Sequence, residues 1–210
     1  VLSEVGMLPA ELMGYSPKKF RRLNYLINNK QFVNFLIKDV SDILNLNKSN
    51  ITNSIILNYD DKSNDLFNWY QKLVAESLGK KSKGILPIIS SMPKDNHSLM
   101  QYYLDGNKNH FFTFFFVKEK NTNKIKNRGL LDTHSYLENK SVNEISYSQF
   151  LSTERVFKQK KVPFRSFIIN SRDEETLGEL FTFFILETIL LGRAMKINPF
   201  DQPDVELIKK

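Results

Sequence analysis

Apolar positions along the 210-residue chain change period several times, and each change marks an element. Over residues 31–46, Phe32, Phe35, Leu36, Val40, Ile43 and Leu44 recur at helical spacing. Ahead of them, Ser16-Pro17 pairs an N-cap residue with a proline at the first helical position, so the opening third reads as helical. Residues 54–59 (SIILNY) are a short apolar run between turn-formers, the pattern of a buried strand. Helical spacing returns over 64–78 and ends at Gly79, a natural cap. Further strands are predicted at 85–89, 111–118 and 166–170, with helices at 97–104 (stopped by Asp105-Gly106) and 142–161. Ser171-x-x-Glu174 reads as a capping box opening a long helix to about Gly192, and 205–210 as a short terminal helix. Residues 121–138 are polar and weakly patterned, a surface excursion.

Strands separated by helices predict an α/β fold. A largely parallel sheet should be covered by helices on both faces, since its strands are almost continuously apolar. The expected division is a helical segment over residues 1–50 and an α/β domain over 51–210 ending in a helical tail. No repeat at solenoid spacing, G-x-G-x-x-G or P-loop is present.

Composition narrows the chemistry. The absence of cysteine removes disulfides, thiolate metal sites and thiol nucleophiles together. The apolar run HFFTFFFV is eight residues long, and 177–192 carries Glu179 and Glu187, so neither fits the roughly 20 apolar residues of a spanning helix. A soluble, cytoplasmic protein is expected, without a membrane partner. The net charge is +7, but 23 of the 30 basic residues are Lys. The clusters KKFRR (18–22), KKSK (80–83) and KQKK (158–161) are dispersed, with no nucleic-acid motif between them. A solvated basic surface is the expected reading, not a nucleic-acid partner.

Three segments are hard to explain as scaffold. Ala75-Glu-Ser-Leu-Gly-Lys80 ends a helix, where the negative end of the helix dipole works against an ionised carboxylate and suits Glu76 to act as a base near neutrality. Pro93-Lys-Asp-Asn-His-Ser-Leu-Met-Gln101 follows a strand and places His97 where α/β sheets hold ligands. Asn198-Pro-Phe-Asp-Gln-Pro-Asp-Val-Glu-Leu-Ile-Lys209 joins the long helix to the terminal one. Each alone is ordinary. Together, in this order, they resemble three blocks of the phosphoglucose (glucose-6-phosphate) isomerase family: E-S-x-G-K, D-x-H-S-x-x-Q and F-D-Q-x-G-V-E-x-x-K. The opening Val1-Leu-Ser-Glu-Val-Gly-Met7 is similar to the segment after that family's Gly-Gly-Arg-Tyr/Phe-Ser, so the resemblance spans the chain as the family's C-terminal portion.

The resemblance implies a sugar-isomerase (SIS-type) αβα sandwich and an aldose–ketose isomerase of glycolysis and gluconeogenesis, interconverting glucose 6-phosphate and fructose 6-phosphate through ring opening and a cis-enediol(ate). Residue by residue it implies Glu76 as the base, His97 as the acid that opens the ring, Lys209 as a cationic donor and Gln202 as a substrate-binding amide. It also implies a homodimer in which His97 crosses to the other subunit. No cofactor or metal is needed, and the three histidines do not have metal-site spacing. The alternative is a non-catalytic sugar-phosphate-binding regulator on the same fold.

Two positions depart from the family pattern. Asp204 stands where the family has Gly, which would suit a positive φ. Lys72 stands where many members have Gln, with Gln71 one residue earlier. The family's enediolate-stabilising arginine and phosphate-binding loop have no counterpart in these 210 residues. The expectation is therefore a piece of a longer chain that turns over glucose 6-phosphate negligibly alone.

Overall fold

The computed structural model describes residues 1–119, 123–126 and 132–208. In chain order these form α1 (Glu4–Leu12), α2 (Pro17–Phe20), α3 (Leu23–Ile27), α4 (Lys30–Lys48), β1 (Asn53–Asn58), α5 (Asn64–Leu78), β2 (Leu86–Ser91), α6 (Met100–Asp105), β3 (His110–Val117), α7 (Val142–Gln159), β4 (Phe164–Ile169), α8 (Glu174–Ala194) and α9 (Pro203–Ile208). The four strands pair in the order β2-β1-β3-β4. Backbone bonds from Leu86 N to Thr52 O and from Met92 N to Asn58 O keep a constant offset along β1 and β2, and β3 runs parallel to β4 with Phe112 opposite Phe164. The fold is α/β with a parallel sheet, as the strand–helix alternation predicts.

Two compact units share the chain. The first comprises Val1–Ser54, Asp65–Ile88 and Arg172–Lys210, and the second Ile55–Asn64 and Ile89–Ser171. In the first, α8 is the organising helix, with Leu180, Phe183, Phe184 and Leu191 buried along it. Phe183 meets Phe32 of α4, and Phe184 meets Phe67 and Tyr70 of α5. Glu187 is fully buried in this helix and accepts a 2.7 Å hydrogen bond from the Tyr70 hydroxyl, so the carboxylate that argued against a membrane span is a partnered core group. Helix α4 starts at Lys30, one residue before the predicted span, because the Asn29 side-chain oxygen caps it by accepting from Gln31 N and Phe32 N.

The second unit is built around β3, whose eight residues are all buried. Phe112, Phe114 and Phe116 face α7, where Phe150 and Phe157 complete an aromatic cluster with Tyr59 and Tyr103. A two-sided apolar strand reads as HFFTFFFV because both its faces are covered. Helix α7 opens on a capping box at Ser141 and Glu144, with both reciprocal hydrogen bonds present. The box expected at Ser171–Glu174 is not the cap of α8. That helix is capped two residues later, with the Asp173 side chain accepting from Thr176 N. The two serine boxes share the same side-chain chemistry, and local sequence does not rank them.

His110, at the head of β3, is 5% exposed and lies against Tyr102, Tyr103 and Phe112, with Nδ1 3.2 Å from Asn109 Oδ1. Burial holds this imidazole below its ordinary range. A folded-state value lower than the unfolded one means stability is present above the unfolded pKa of about 6.5 and is lost as pH falls below it. Between pH 7.5 and 5.5, the protection factors of the β3 amides, taken relative to intrinsic exchange at each pH, should therefore fall, by at most about tenfold per pH unit from this group. His110→Phe should flatten that dependence. An unchanged pH dependence in the variant would assign the effect elsewhere.

Candidate active site

The end of α5, the loop after it and the α8–α9 turn meet in the first unit. Gly192 makes this possible. A Cβ on it would lie 3.1 Å from Pro199 Cβ and 3.3 Å from Leu78 Cδ2, so its bare backbone lets the last residue of α5 and the turn approach the same part of α8. The chain leaves α5 with Lys81 and Ser82 both left-handed (φ 55°) and Gly84 at φ 105°. At Gly84 a Cβ would sit 2.5 Å from the Leu78 carbonyl oxygen, a contact only glycine avoids. Helix α5 ends at Leu78, directly before Gly79 as expected, and the left-handed reversal comes a few residues later.

Two lysines of this loop reach the segment that follows α8. Lys83 Nζ donates to the Met195 carbonyl at 3.1 Å. Lys80 Nζ donates to the Asn198 carbonyl at 2.6 Å, to Asp201 Oδ1 at 2.7 Å and to the Asp201 carbonyl. The Lys80 side chain is only 9% exposed, so these bonds replace its hydration. Lys80 holds the Asp201 carboxyl below the usual carboxylate range, with help from Asn198 Nδ2 at 2.9 Å. The KKSK cluster is therefore not simply a solvated patch. Lys83 serves the carbonyl at the C-cap of α8, Met195, and Lys80 serves carbonyls of the turn beyond it.

The next residue delivers the consequence. Gln202 Nε2 donates to Glu76 Oε2 at 3.0 Å, joining the first and third of the segments singled out in the sequence. Glu76 is exposed at the last turn of α5, and Oε1 takes no hydrogen bond from the described residues. The structure thus brings Glu76 and Gln202 together. His97 lies in the second unit, exposed in the turn between a 3₁₀ segment (Lys94–Asn96) and α6, and not within the helix expected over 97–104. Asp95 pins that turn, its Oδ2 accepting from Ser90 Oγ at 2.9 Å and Ser91 N at 2.8 Å. Lys209 lies outside the described residues.

Gln71 is committed to structure, donating to the Pro87 carbonyl at 2.7 Å, while Lys72 is exposed. Asp204 does not sit at a positive φ. It occupies the first turn of α9, where a carboxylate favours the helix. The basic side chains of the KKFRR cluster stay at the surface and form ion pairs there: Arg21 pairs with Glu4, Arg22 with Glu175 and Glu179, and Lys19 with Glu174. Lys158, Lys160 and Lys161 stay solvated. The second unit has a separate cavity of about 510 Å³ at the carboxyl ends of β1 and β3, lined by Tyr59, Asp60 and Glu119 among others, but not by the predicted site residues.

No family model matches the chain. Curated proteins do. The chain is 32% identical to the glucose-6-phosphate isomerase of Mycoplasmopsis pulmonis over 219 residues, covering 100% of this chain and 51% of that protein. It is 30% identical to a probable glucose-6-phosphate isomerase of Methanococcus maripaludis, covering 100% of this chain and 48% of that protein. The chain belongs to the glucose-6-phosphate isomerase family. It spans about half the length of the curated relatives it matches. A glucose-6-phosphate isomerase crystal structure from Chlamydia trachomatis superposes with a TM-score of 0.53 at 18% identity, covering 75% of this chain and 33% of that one. A hypothetical protein of Thermus thermophilus superposes with a TM-score of 0.86 at 22% identity, over 99% of this chain and 52% of that one, and shares its fold. Among the described residues no helix is long and apolar enough to cross a membrane.

Sequence reasoning missed Lys80. It stood in the E-S-x-G-K block beside two more lysines, and its burial depends on a turn 118 residues away.

Proposed function

We propose that the complete protein interconverts glucose 6-phosphate and fructose 6-phosphate, with Glu76 as the proton-transfer base. The observation that carries this reading is the 3.0 Å bond from Gln202 to Glu76, which joins two blocks of the family pattern that are 126 residues apart. A carboxylate with one oxygen tied by an amide and the other open to solvent is a base held in one orientation.

The chemistry follows from that arrangement. In the open-chain aldose, Glu76 removes the C2 proton while the carbonyl oxygen at C1 gains one, leaving a cis-enediol. The same carboxyl then gives a proton to C1 as the C2 hydroxyl loses its own, leaving the ketose. His97 supplies the proton that opens the sugar ring, a role suited to imidazole near neutral pH, and reaches the site from a second subunit of a homodimer. Lys209 assists as a cationic donor. Gln202 keeps its second amide hydrogen and its oxygen for a substrate hydroxyl. No step needs a cofactor.

The test is isotopic. Glucose 6-phosphate turned over in D₂O should yield fructose 6-phosphate carrying deuterium at C1, because a proton held on a carboxyl exchanges with solvent. Turnover with no deuterium at C1 would indicate hydride transfer and remove Glu76 from the mechanism.

A further inference from the structure

Between Glu76 and the turn that meets it stands a buried cation that the reaction itself does not use. Lys80 follows Glu76 by one helical turn of sequence, but its side chain turns away from the α5 axis and into the α8–α9 turn. Its three acceptors, the Asn198 carbonyl, the Asp201 carbonyl and Asp201 Oδ1, all belong to the four residues before Gln202. An ammonium carries three donors at tetrahedral angles and can satisfy all three acceptors at once, whereas a planar guanidinium cannot. The turn also has an internal bond from Asn198 Nδ2 to Asp201 Oδ2. Beyond the Lys80 bonds, the Gln202–Glu76 contact is its only side-chain hydrogen bond to the end of α5 among the described residues. The exposed Glu76 carboxylate takes its one described hydrogen bond from the residue that directly follows the turn bonded by Lys80.

We infer that Lys80 is a positioning residue for isomerisation: it locks the 198–201 turn to the end of α5 so that Gln202 holds Glu76 in its proton-transferring orientation. This rests on the assignment of Glu76 as the base. Lys80 touches no reacting atom. Removing its ammonium frees the turn, lets the Gln202 amide leave Glu76 and allows the carboxylate to sample orientations that cannot reach C2. Gln202 also faces a substrate hydroxyl, so some affinity is lost with it, but the main loss is in kcat.

Lys80→Met in the complete protein keeps the aliphatic stem and removes the ammonium. The expected result is a kcat lower by about 100-fold, the scale for a misplaced reacting group, with KM within about threefold of wild type. Gln202→Leu should lower kcat similarly, and the double variant should be no worse than either single one, because both act through the same bond to Glu76. Should K80M fail to fold, Asp201→Asn removes a single charged acceptor and should give a smaller fall in kcat with the same non-additivity toward Q202L. A wild-type kcat in K80M, strictly multiplicative losses in the double variant, or a loss confined to KM would each overturn the inference. The base assignment is checked apart from it by Glu76→Gln. An inactive E76Q beside a fully active K80M refutes the positioning role alone, whereas an active E76Q refutes the base.

Discussion

Glu76→Gln in the complete protein is expected to abolish isomerisation, by at least the ~10²–10⁴-fold that a positioned general base contributes, while sugar-phosphate binding stays close to wild type. The substitution is nearly isosteric. Gln202 now donates to Glu76 Oε2 at 3.0 Å, and an amide at position 76 can present its carbonyl oxygen to the same donor. The turn, the Lys80 clamp and the end of α5 should therefore survive, and only proton transfer is lost. Two measurements decide it: a coupled dehydrogenase assay for turnover and calorimetric titration with a sugar phosphate for binding. Equal loss of both would mean that Glu76 anchors substrate. Retained turnover would place the base on another residue.

Phe114→Ala is expected to destabilise the second unit by about 3–5 kcal/mol, the range for emptying a fully buried phenyl site. The Phe114 ring is 0% exposed and makes edge contacts with Phe150 at 5.6 Å, Phe157 at 5.1 Å and Phe164 at 5.2 Å between centroids. These neighbours sit on α7 and β4, so the cavity is walled by two elements with little freedom to collapse inward. Because the chain has two compact units, hydrogen exchange of β3 and α7 amides reads the loss more directly than a global melting curve. A loss below about 1 kcal/mol, far under the usual phenylalanine-to-alanine range, would mean the cluster repacks freely.

The elements were largely legible because their signals are local. Helical spacing over 64–78 recovered α5 with its bounds, and the apolar run through HFFTFFFV recovered β3 to within one residue. Local patterns fail where two sites share one chemistry. Ser141-x-x-Glu144 and Ser171-x-x-Glu174 offer the same box, and the structure uses the first while Asp173 caps α8. His97 stands outside a helix because Asp95 is drawn to Ser90 and Ser91 to close the turn at the end of β2, shortening α6 to Met100–Asp105. Asp204, which stands where the family has Gly, sits in an ordinary first helical turn.

Within the site, sequence supplied Glu76 and Gln202 through their resemblance to known blocks. It read the loop lysines as a solvated surface where Lys80 and Lys83 serve the α8–α9 turn, and it did not anticipate the ion pairs that Lys19, Arg21 and Arg22 make at the surface. Sequence by itself determined where the helices and strands lie and which family the chain resembles, since periodicity, turn chemistry and motif spacing act over a few residues. Only the tertiary structure decided the strand order β2-β1-β3-β4, the pairing of Arg22 with Glu175 and Glu179, and the meeting of Lys80 and Glu76 with a turn more than 110 residues downstream. The physical reason is desolvation. An ammonium or carboxylate becomes a structural group only when a distant segment removes its water and supplies the replacing hydrogen bonds, and no local pattern records which segment that will be.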